Sequence, residues 1–274
     1  MQRLIVDANK RGLGLNLKEL FDYKDLFLIL AYKDLRVRYA QTFLGLFWAF
    51  IQPLATLIIF TLVFGRAIEI DTNGVPYPLF AACGLASWTY FSFVLGQSGN
   101  SVIASQEMIK KIYFPRLVIP LSKSLVGFVD FFVACLFIVV LILVYRFQLS
   151  LNLIFLPIYL IASVVAALAV GVWLSALTIR YRDFQHVVPF LVQFGLYATP
   201  VGYSANLITK GWSDWLVVVY YLNPAAGIVE GFRWSVVGGD LPSQSYVSLI
   251  VTAVLFISGF FYFRKVERIM ADIV

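Results

Sequence analysis

The chain has 274 residues, of which 61% are hydrophobic and 13% are charged, and its net charge is +6. A soluble domain carries about a quarter charged residues, so this composition excludes an ordinary soluble protein and indicates one that lies in lipid. The cations lie beside long apolar stretches, where anionic lipid attracts them, which argues against a nucleic-acid partner. Cys83 and Cys135 lie inside apolar stretches, so the sequence predicts neither a disulfide framework nor a cysteine metal site.

The amphipathic segment from Leu17 to Tyr39 precedes the first long apolar run, which begins near Thr42. This order is not that of a cleavable secretory signal. Leucine, phenylalanine and tyrosine alternate here with lysine, arginine and aspartate, which predicts a helix in the cytoplasmic membrane interface. A basic tether with no further role is the alternative.

Six stretches are apolar over about 20 residues, the length that a helix needs to cross the hydrocarbon core of a membrane. We therefore predict an all-α integral membrane protein, with an N-terminal segment 1–41, a six-helix transmembrane domain 42–263 and a tail 264–274. The predicted spans are residues 42–64, 79–101, 117–145, 153–178, 187–207 and 246–263.

Lysine and arginine residues are distributed unequally between the two sides of these spans. Seventeen lie on the side of the N-terminal segment and the tail, whereas four lie on the other side, namely Arg66, Arg146, Lys210 and Arg233. Cytoplasmic loops carry the excess of positive charge, so both termini are predicted to be cytoplasmic. The even number of spans agrees with this topology.

A short charged helix is predicted between the second and third spans. Ser105 can cap it, Glu107 lies in its first turn, Lys110 and Lys111 follow, and Pro115 stops it. A charged helix of about two turns that projects from a membrane suits a docking partner. A basic loop that touches lipid headgroups is the alternative.

The outward segment 212–237 is apolar enough for a membrane, but Asn223 and Pro224 divide it into two pieces that are each too short to cross. Asn223 can cap and Pro224 can open the second helix, on which Glu230 and Arg233 can pair. The pieces are predicted to dip in from the outer face and turn back, or to lie in the interface with no gating role. The segment also contains Trp212 and Trp215.

Charged residues within the spans are scarce. Asp130 lies in the third span and Lys123 lies seven residues earlier, on the same helix face. A carboxylate at the membrane centre costs about 2.5–3.5 kcal/mol, so a partner or water is expected. Asp130 is predicted either to serve a gate or substrate contact, or to form an ion pair with Lys123.

Catalytic motifs are missing from the sequence. It has no GxxxxGK[ST] loop to hold nucleotide phosphates, no GxGxxG and no GxSxG. Its one histidine, His186, stands near Arg180, Arg182 and Asp183, and a lone imidazole there has no partners for a metal. The sequence therefore predicts that the chain is not an enzyme and holds no metal.

Aromatic residues are abundant, with 25 Phe, 15 Tyr and 6 Trp. A pore lined by rings and amides suits neutral hydroxylated polymers, because rings offer flat apolar faces and amides exchange hydrogen bonds with hydroxyls. Ordinary packing is the alternative. The candidate lining residues are Phe43, Phe47, Trp48, Gln52, Trp88, Tyr90, Phe91, Gln97, Phe194 and Tyr197.

Four stretches together resemble one family. They are YKDLRVRYAQTFLGLFWAFIQPL (32–54), KKIYFPRLVIPLSK (110–123), IRYRDFQHVVPFLVQFGLYATPVGY (179–203) and YLNPAAGIVEGFRWSVVG (221–238). The chain resembles the permease subunit of ATP-binding-cassette exporters of lipid-linked polysaccharide, such as O antigen, capsule or teichoic acid. The likeness covers almost the whole chain in the right order.

This resemblance implies a homodimer in the bacterial plasma membrane, joined by two copies of a separate ATPase that binds ATP and Mg. The chain itself would bind no cofactor. Residues 106–114 would form a coupling helix, and 212–221 and 224–237 would form gate helices at the outer mouth. The coupling residues would be Gln106, Glu107, Lys110, Lys111, Tyr113 and Phe114.

Export of polyprenyl-diphosphate-linked polysaccharide is the first hypothesis. Arg36, Arg38, Arg180 and Arg182 would meet the diphosphate at the cytoplasmic entrance, because arginine binds phosphate through two parallel hydrogen bonds. A related exporter of a drug or small lipid is an alternative. A stand-alone channel or ion-coupled carrier is another, although the spans contain few acids. A membrane-embedded enzyme on polyprenyl lipids would need clustered acids or histidines.

Overall fold

The computed structural model describes residues 17–39 and 45–273, which form helices joined by turns and loops and contain no β-strand. The all-α prediction is confirmed for these residues. The α-helices are α1 (Leu17–Asp22), α2 (Lys24–Tyr39), α3 (Trp48–Phe60), α4 (Tyr77–Ala104), α5 (Gln106–Lys111), α6 (Val118–Tyr145), α7 (Leu156–Arg180), α8 (Phe184–Ala198), α9 (Ala205–Thr209), α10 (Asp214–Tyr220), α11 (Pro224–Val237) and α12 (Tyr246–Ile273). A π-helical segment, Thr61–Ala67, continues α3.

Five helical segments of the described chain are long and apolar enough to cross a membrane. A sixth results if α10 and α11, which meet at 92°, are counted together as one bent span. The five segments are Trp48–Ala67, Tyr77–Ala104, Val118–Tyr145, Leu151–Arg180 and Ser243–Arg268.

Helix α4 lies at the centre of the bundle and packs against α6 and α7, while α12 packs against the other side of α7. Small residues allow the helices to approach closely, as at Gly171 of α7, where a Cβ atom would lie 2.7 Å from the Cβ atom of Ser98. The interior of the bundle is filled mainly by α4 side chains, whereas α3 and α8 leave most of their apolar side chains exposed.

Both ends of the described chain lie at one end of the bundle. Near the start of α6, Lys123 pairs with Asp34 of α2. Close by, the backbone N–H of Arg116 donates to Oε1 of Glu267 near the end of α12, at 2.9 Å. Because α5 connects α4 to α6 here, we call this the α5 end. The opposite end carries α9 and the starts of α4 and α12, and we call it the α9 end.

The fifth predicted span, 187–207, differs from the structure. Helix α8 has only 15 residues, which correspond to about 22 Å of helix, and it ends at Ala198. Turns at 199–204 follow it, of which residues 199–202 are buried. Pro200 has no N–H for a helix hydrogen bond, and Gly202 follows two residues later. These two residues are the sequence signal for the end of the helix.

Candidate functional site

Two charge pairs join α2 to α6. Nη2 of Arg38 lies 2.6 Å from Oδ2 of Asp130, and the hydroxyl of Tyr39 donates to Oδ1 of Asp130 at 2.6 Å. Lys123 pairs with Asp34 instead. The predicted pair between Lys123 and Asp130 is therefore wrong. Residues seven apart are separated by about 10 Å along the helix axis, and α2 supplies each of them with a nearer partner.

Tyr39 is held as a hydrogen-bond donor by its surroundings. Partial burial raises the pKa of Tyr39 above its ordinary value, and the hydrogen bond to the Asp130 carboxylate raises this pKa further. The guanidinium of Arg38 also lies over the ring of Phe93, 4.4 Å from its centroid. Arg38 thus belongs to a neutralised, packed cluster, and its charge is already balanced by Asp130.

The other three arginines predicted at the entrance are exposed at the α5 end of the bundle. Arg36 lies on α2, Arg180 ends α7, and Arg182 lies in the turn before α8. The guanidinium of Arg180 lies 5.4 Å from the ring centroid of Tyr181. These side chains are accessible to a phosphate, unlike that of Arg38.

The predicted short helix between the second and third spans is present as α5, but it ends at Lys111 and Ile112 is extended, so the predicted range 106–114 is three residues too long. Glu107 lies in its first turn and Lys110 and Lys111 in its last, in the order that suits the helix dipole. Nζ of Lys111 lies 3.8 Å from Oε2 of Glu107. The predicted side-chain cap is wrong, because Ser105 occupies the N-cap position but makes no side-chain hydrogen bond there.

The residues after α5 divide into an exposed and a buried set. Tyr113 is 63% exposed and Ile112 is 61% exposed, whereas Phe114 is 4% exposed and packs in a cluster with Leu30 of α2 and Ile119 of α6. Phe114, predicted to contact the ATPase, is therefore a packing residue. Ile112 is an exposed apolar residue that the sequence analysis did not single out.

The segment after α5 is anchored to the last helix. Nη1 of Arg116 lies 2.8 Å from the carbonyl oxygen of Glu267, in addition to the backbone hydrogen bond from the N–H of Arg116 to the Glu267 carboxylate. Arg264, one turn earlier on α12, lies 3.6 Å from the same carboxylate. This link between residues 151 positions apart left no signal in the sequence pattern.

The predicted aromatic lining separates into two groups. Trp88, Tyr90 and Phe91 of α4 are each less than 9% exposed and pack inside the bundle, so the prediction that they line a pore is wrong for this conformation. Phe43 lies outside the described residues. The remaining predicted residues have exposed side chains on α3, α4, α8 or the turn before α3, and they are Phe47, Trp48, Gln52, Gln97, Phe194 and Tyr197.

The predicted break between α10 and α11 is present. Oδ1 of Asn223 accepts a hydrogen bond from the N–H of Ala225 at 3.0 Å, and Pro224 is the first residue of α11. The two helices have different environments. Most of α11 is buried, whereas α10 contains no buried residue, and Trp212 and Trp215 are exposed.

Arg233 of α11 binds the broken backbone after α8. Its Nη2 atom donates to the carbonyl oxygens of Pro200 and Val201, both at 2.7 Å, and its Nη1 atom donates to that of Tyr203 at 3.3 Å. Tyr77 donates to the carbonyl of Gly202 at 2.9 Å. Side chains thus replace the hydrogen bonds that a continuous helix would supply within a membrane.

Glu230 of α11 is buried and binds a different set of groups. Its Oε1 atom accepts from the N–H of Ala205 at 2.7 Å, and its Oε2 atom accepts from the hydroxyl of Tyr221 at 2.5 Å. No ion pair joins Glu230 to Arg233 among the described residues. Their predicted pairing is wrong, because each side chain is directed to backbone and hydroxyl groups around α11.

A polar cavity of about 250 Å³ opens at the α9 end, above Glu230 and Arg233. Its walls come from the loop before α4, the start of α9 and the end of α11, and they include Asp71, Asn206 and Trp234. Within the described ranges, no group of three or more histidine, cysteine, aspartate or glutamate residues could hold a metal ion.

The sequence model that describes the ABC-2 type transporter family matches residues 25–237 of the chain. The chain belongs to this family. The match runs from α2 to the end of α11 and so includes the charge pairs, α5 and the bent helices. Membership in this family, together with the apolar helices, identifies a multi-pass membrane protein with a transport role.

Named relatives of this ABC-2 family member include O-antigen export permeases and a polysialic acid transport protein. The O-antigen export system permease protein RfbA of Klebsiella pneumoniae is 30% identical over 261 residues, which cover 94% of this chain and 97% of that protein. A protein of the same name from Myxococcus xanthus is 26% identical over 79% of this chain and 82% of its own length. The polysialic acid transport protein KpsM of Escherichia coli is 23% identical over 88% of this chain and 93% of its own.

Proposed function

We propose that the chain is the transmembrane subunit of an ATP-driven exporter that moves polyprenyl-diphosphate-linked polysaccharide across the bacterial inner membrane. The observation that carries the proposal is the 30% identity to an O-antigen export permease over nearly the full length of both chains. The sequence has no phosphate-binding loop, which fits an ATPase on a separate subunit that binds ATP and Mg.

The α5 end is proposed to face the cytoplasm, with both termini on that side. Segment 1–41 and tail 264–274 would flank a membrane domain of residues 42–263. The distribution of 17 cations against 4 supports this orientation. In this arrangement α8, although short, crosses the membrane in addition to the five long segments. The turns at 199–204 complete this crossing, with the carbonyls of Pro200 and Val201 bound by Arg233.

The chain is proposed to act as a homodimer. Helices α3 and α8 leave Trp48, Phe194 and Tyr197 at least 49% exposed, and Gln52 and Gln97 are also exposed. A second copy facing these helices would enclose a path lined by rings and amides, whereas one six-helix bundle leaves little room for a hydrated glycan. Exposed rings and amides suit a hydroxylated polymer.

The ATPase is proposed to dock on α5 and on the two residues after it. Lys110 and Lys111 provide charge, and Ile112 and Tyr113 provide exposed apolar surface. From there, displacement of the docking segment would reach α12 through the hydrogen bonds between Arg116 and Glu267. It would also reach α2, because Phe114 packs against Leu30 in the same cluster.

The lipid diphosphate is proposed to meet Arg36, Arg180 and Arg182 at the cytoplasmic entrance, since these side chains are exposed. Arg38 is proposed as an anchor of α2. At the outer mouth, α10 is proposed as the moving part of the gate and α11 as its fixed part, because α10 has no buried residue and α11 is held by Glu230 and Arg233.

A gene-deletion experiment in the native cell tests this proposal. We expect that removal of the chain stops the surface display of one lipid-linked polysaccharide and that this polysaccharide accumulates inside the cell. The wild-type chain should restore display. A variant with Lys110→Ala and Lys111→Ala should reach the membrane in normal amounts but restore little display. Normal display in the deletion strain would show that the proposed function is wrong.

A further inference from the structure

We propose that the cavity of about 250 Å³ at the α9 end binds one neutral sugar unit of the exported polymer. This inference rests on the proposed function, and it specifies which class of sugar binds in this cavity. The cavity is lined by four loops, by the start of α9 and by the end of α11, with Phe80 of α4. Its lining side chains include carboxylates, amides, a hydroxyl and an indole ring, from Asp71, Asn73, Ser204, Asn206, Trp234 and Asp240.

Polar groups in this cavity are available to a ligand. The side chains of Ser204, Asn206 and Asp240 make no hydrogen bond with the described part of the chain, although each lines the cavity. A carboxylate accepts hydrogen bonds, an amide both donates and accepts them, and a hydroxyl does both. Together they match the mixed donors and acceptors of a sugar.

One aromatic ring in the wall is fixed in place. The indole of Trp234 packs against Phe155, with ring centroids 5.4 Å apart, and against Tyr159, with centroids 6.3 Å apart. A ring that is held by its neighbours presents its remaining apolar surface without a further loss of side-chain entropy. This surface suits the C–H face of a pyranose.

The floor of the cavity is also preorganised. Glu230 and Arg233 line it, and both are bound by the protein itself through hydrogen bonds to Ala205, Tyr221 and the carbonyls after α8. These two groups therefore fix the position of α9 and the turns beside the cavity. A ligand would meet walls that need little rearrangement.

The charge of the lining selects against anionic ligands. Asp71, Glu230 and Asp240 contribute three negative charges and Arg233 contributes one positive charge, so the formal sum is −2. Like charges brought into one cavity repel each other and disfavour binding. A phosphate, a uronic acid or a sialic acid is therefore disfavoured, and a neutral sugar is favoured.

The size of the cavity limits what enters. Its volume of about 250 Å³ lies just below the lower limit of about 300 Å³ for drug-sized ligand pockets. One sugar unit of a polysaccharide fits this volume better than a lipid tail does. Gly238 and Gly239, both with positive φ, form part of the wall without side chains that would narrow the opening.

Binding of oligosaccharides to the permease–ATPase complex in lipid nanodiscs tests the proposal. The probes are three neutral hexasaccharides, of galactose, mannose and glucose, and one hexamer of sialic acid. We expect at least one neutral probe to bind with saturation-transfer signals from a single unit, and the sialic acid hexamer not to bind. The Asn206→Ala variant should bind the neutral probe with about tenfold lower affinity, because it loses one or two hydrogen bonds to the sugar.

A charge variant sharpens the test. Asp71→Asn together with Asp240→Asn removes two negative charges from the lining, so the sialic acid hexamer should gain measurable affinity. Asp22→Asn is the control, because Asp22 is exposed at the end of α1 and does not line the cavity. This control should behave like the wild-type complex, which binds a neutral probe and does not bind the sialic acid hexamer.

Three results would each overturn the inference: no neutral probe binds, the sialic acid hexamer binds the wild-type complex as tightly as a neutral probe, or Asn206→Ala binds like the control. ATP-dependent polymer export by the same complexes separates this inference from the proposed function. A complex that exports polymer but binds no neutral sugar here contradicts only the inference. A complex that binds the sugar but exports nothing contradicts the proposed function.

Discussion

The Nη2 atom of Arg233 lies 2.7 Å from the carbonyl oxygen of Val201, which ties α11 to the backbone that follows the early end of α8. Gly84 of α4 lies beside the same carbonyl, about 10 Å along α4 from its first residue. Non-helical backbone at such a depth requires partners within the protein, because no water is available in lipid. Arg233 therefore permits the break in the fifth predicted span.

Replacement of Arg233 by glutamine should destabilise the chain by at least about 3 kcal/mol, since hydrogen bonds from a charged group contribute about 1.5–3 kcal/mol each. Arg233→Lys should not rescue it, because a single ammonium cannot reproduce the planar fork that reaches Pro200, Val201 and Tyr203. The measurement is thermal unfolding in detergent. Arg66→Gln, at an exposed residue, is the control, and equal stability of the two variants would refute this role.

Two glycines of α4 should respond differently to alanine. A Cβ atom at Gly84 would overlap the carbonyl oxygen of Val201, whereas a Cβ atom at Gly96 would lie 3.8 Å from its nearest neighbour, a methyl group of Val192. Gly84→Ala should therefore abolish the folded monodisperse protein, and Gly96→Ala should leave it intact. Size-exclusion profiles of the detergent-solubilised variants provide the measurement. A normal profile for Gly84→Ala would mean that the packing described here is wrong.

The ion pair between Arg38 and Asp130 should be energetically coupled. The side chains are 31% and 18% exposed, so loss of either partner leaves a partly desolvated charge without its counter-ion. In a double-mutant cycle of Arg38→Gln and Asp130→Asn, we expect each single variant to lose about 2 kcal/mol of unfolding free energy and the double variant to lose less than their sum. Arg36→Gln, at an exposed residue two positions before Arg38 on α2, should cost almost nothing.

Substitutions at the two neighbouring residues Tyr113 and Phe114 should affect different properties, namely binding of the ATPase and stability of the fold. Tyr113→Ala should reduce co-purification of the ATPase by about tenfold with little change in stability, because the ring is exposed and such anchors dominate interfaces. Phe114→Ala should instead cost about 3–5 kcal/mol of stability, because it empties a buried site. Lys265→Ala, at an exposed cation of α12, should leave both properties unchanged. Full ATPase recovery with Tyr113→Ala would remove that residue from the docking surface.

Lengths of apolar runs were sufficient to predict the four longest helices. The structure contains a helix over each of the predicted spans 79–101, 117–145, 153–178 and 246–263, because twenty apolar residues in lipid have few alternatives to a helix. Local chemistry also predicted the break at Asn223 and Pro224, which the cap to Ala225 confirms.

Long-range contacts could not be predicted in this way. The partner of Asp130 is 92 residues away in Arg38, and the partner of Glu267 is 151 residues away in Arg116, so no spacing rule applies to them. The burial of Trp88 likewise depends on which face of α4 meets its neighbours. An aromatic pattern has the same periodicity whether the rings line a pore or fill a core.

Transport in proteoliposomes tests the central claim, that this chain is a conduit driven by a separate ATPase. The chain is reconstituted alone, with the ATPase, and with the ATPase and ATP, and the movement of lipid-linked polysaccharide across the bilayer is measured in each case. We expect movement only when both the ATPase and ATP are present. Equal movement by the chain alone would contradict the account.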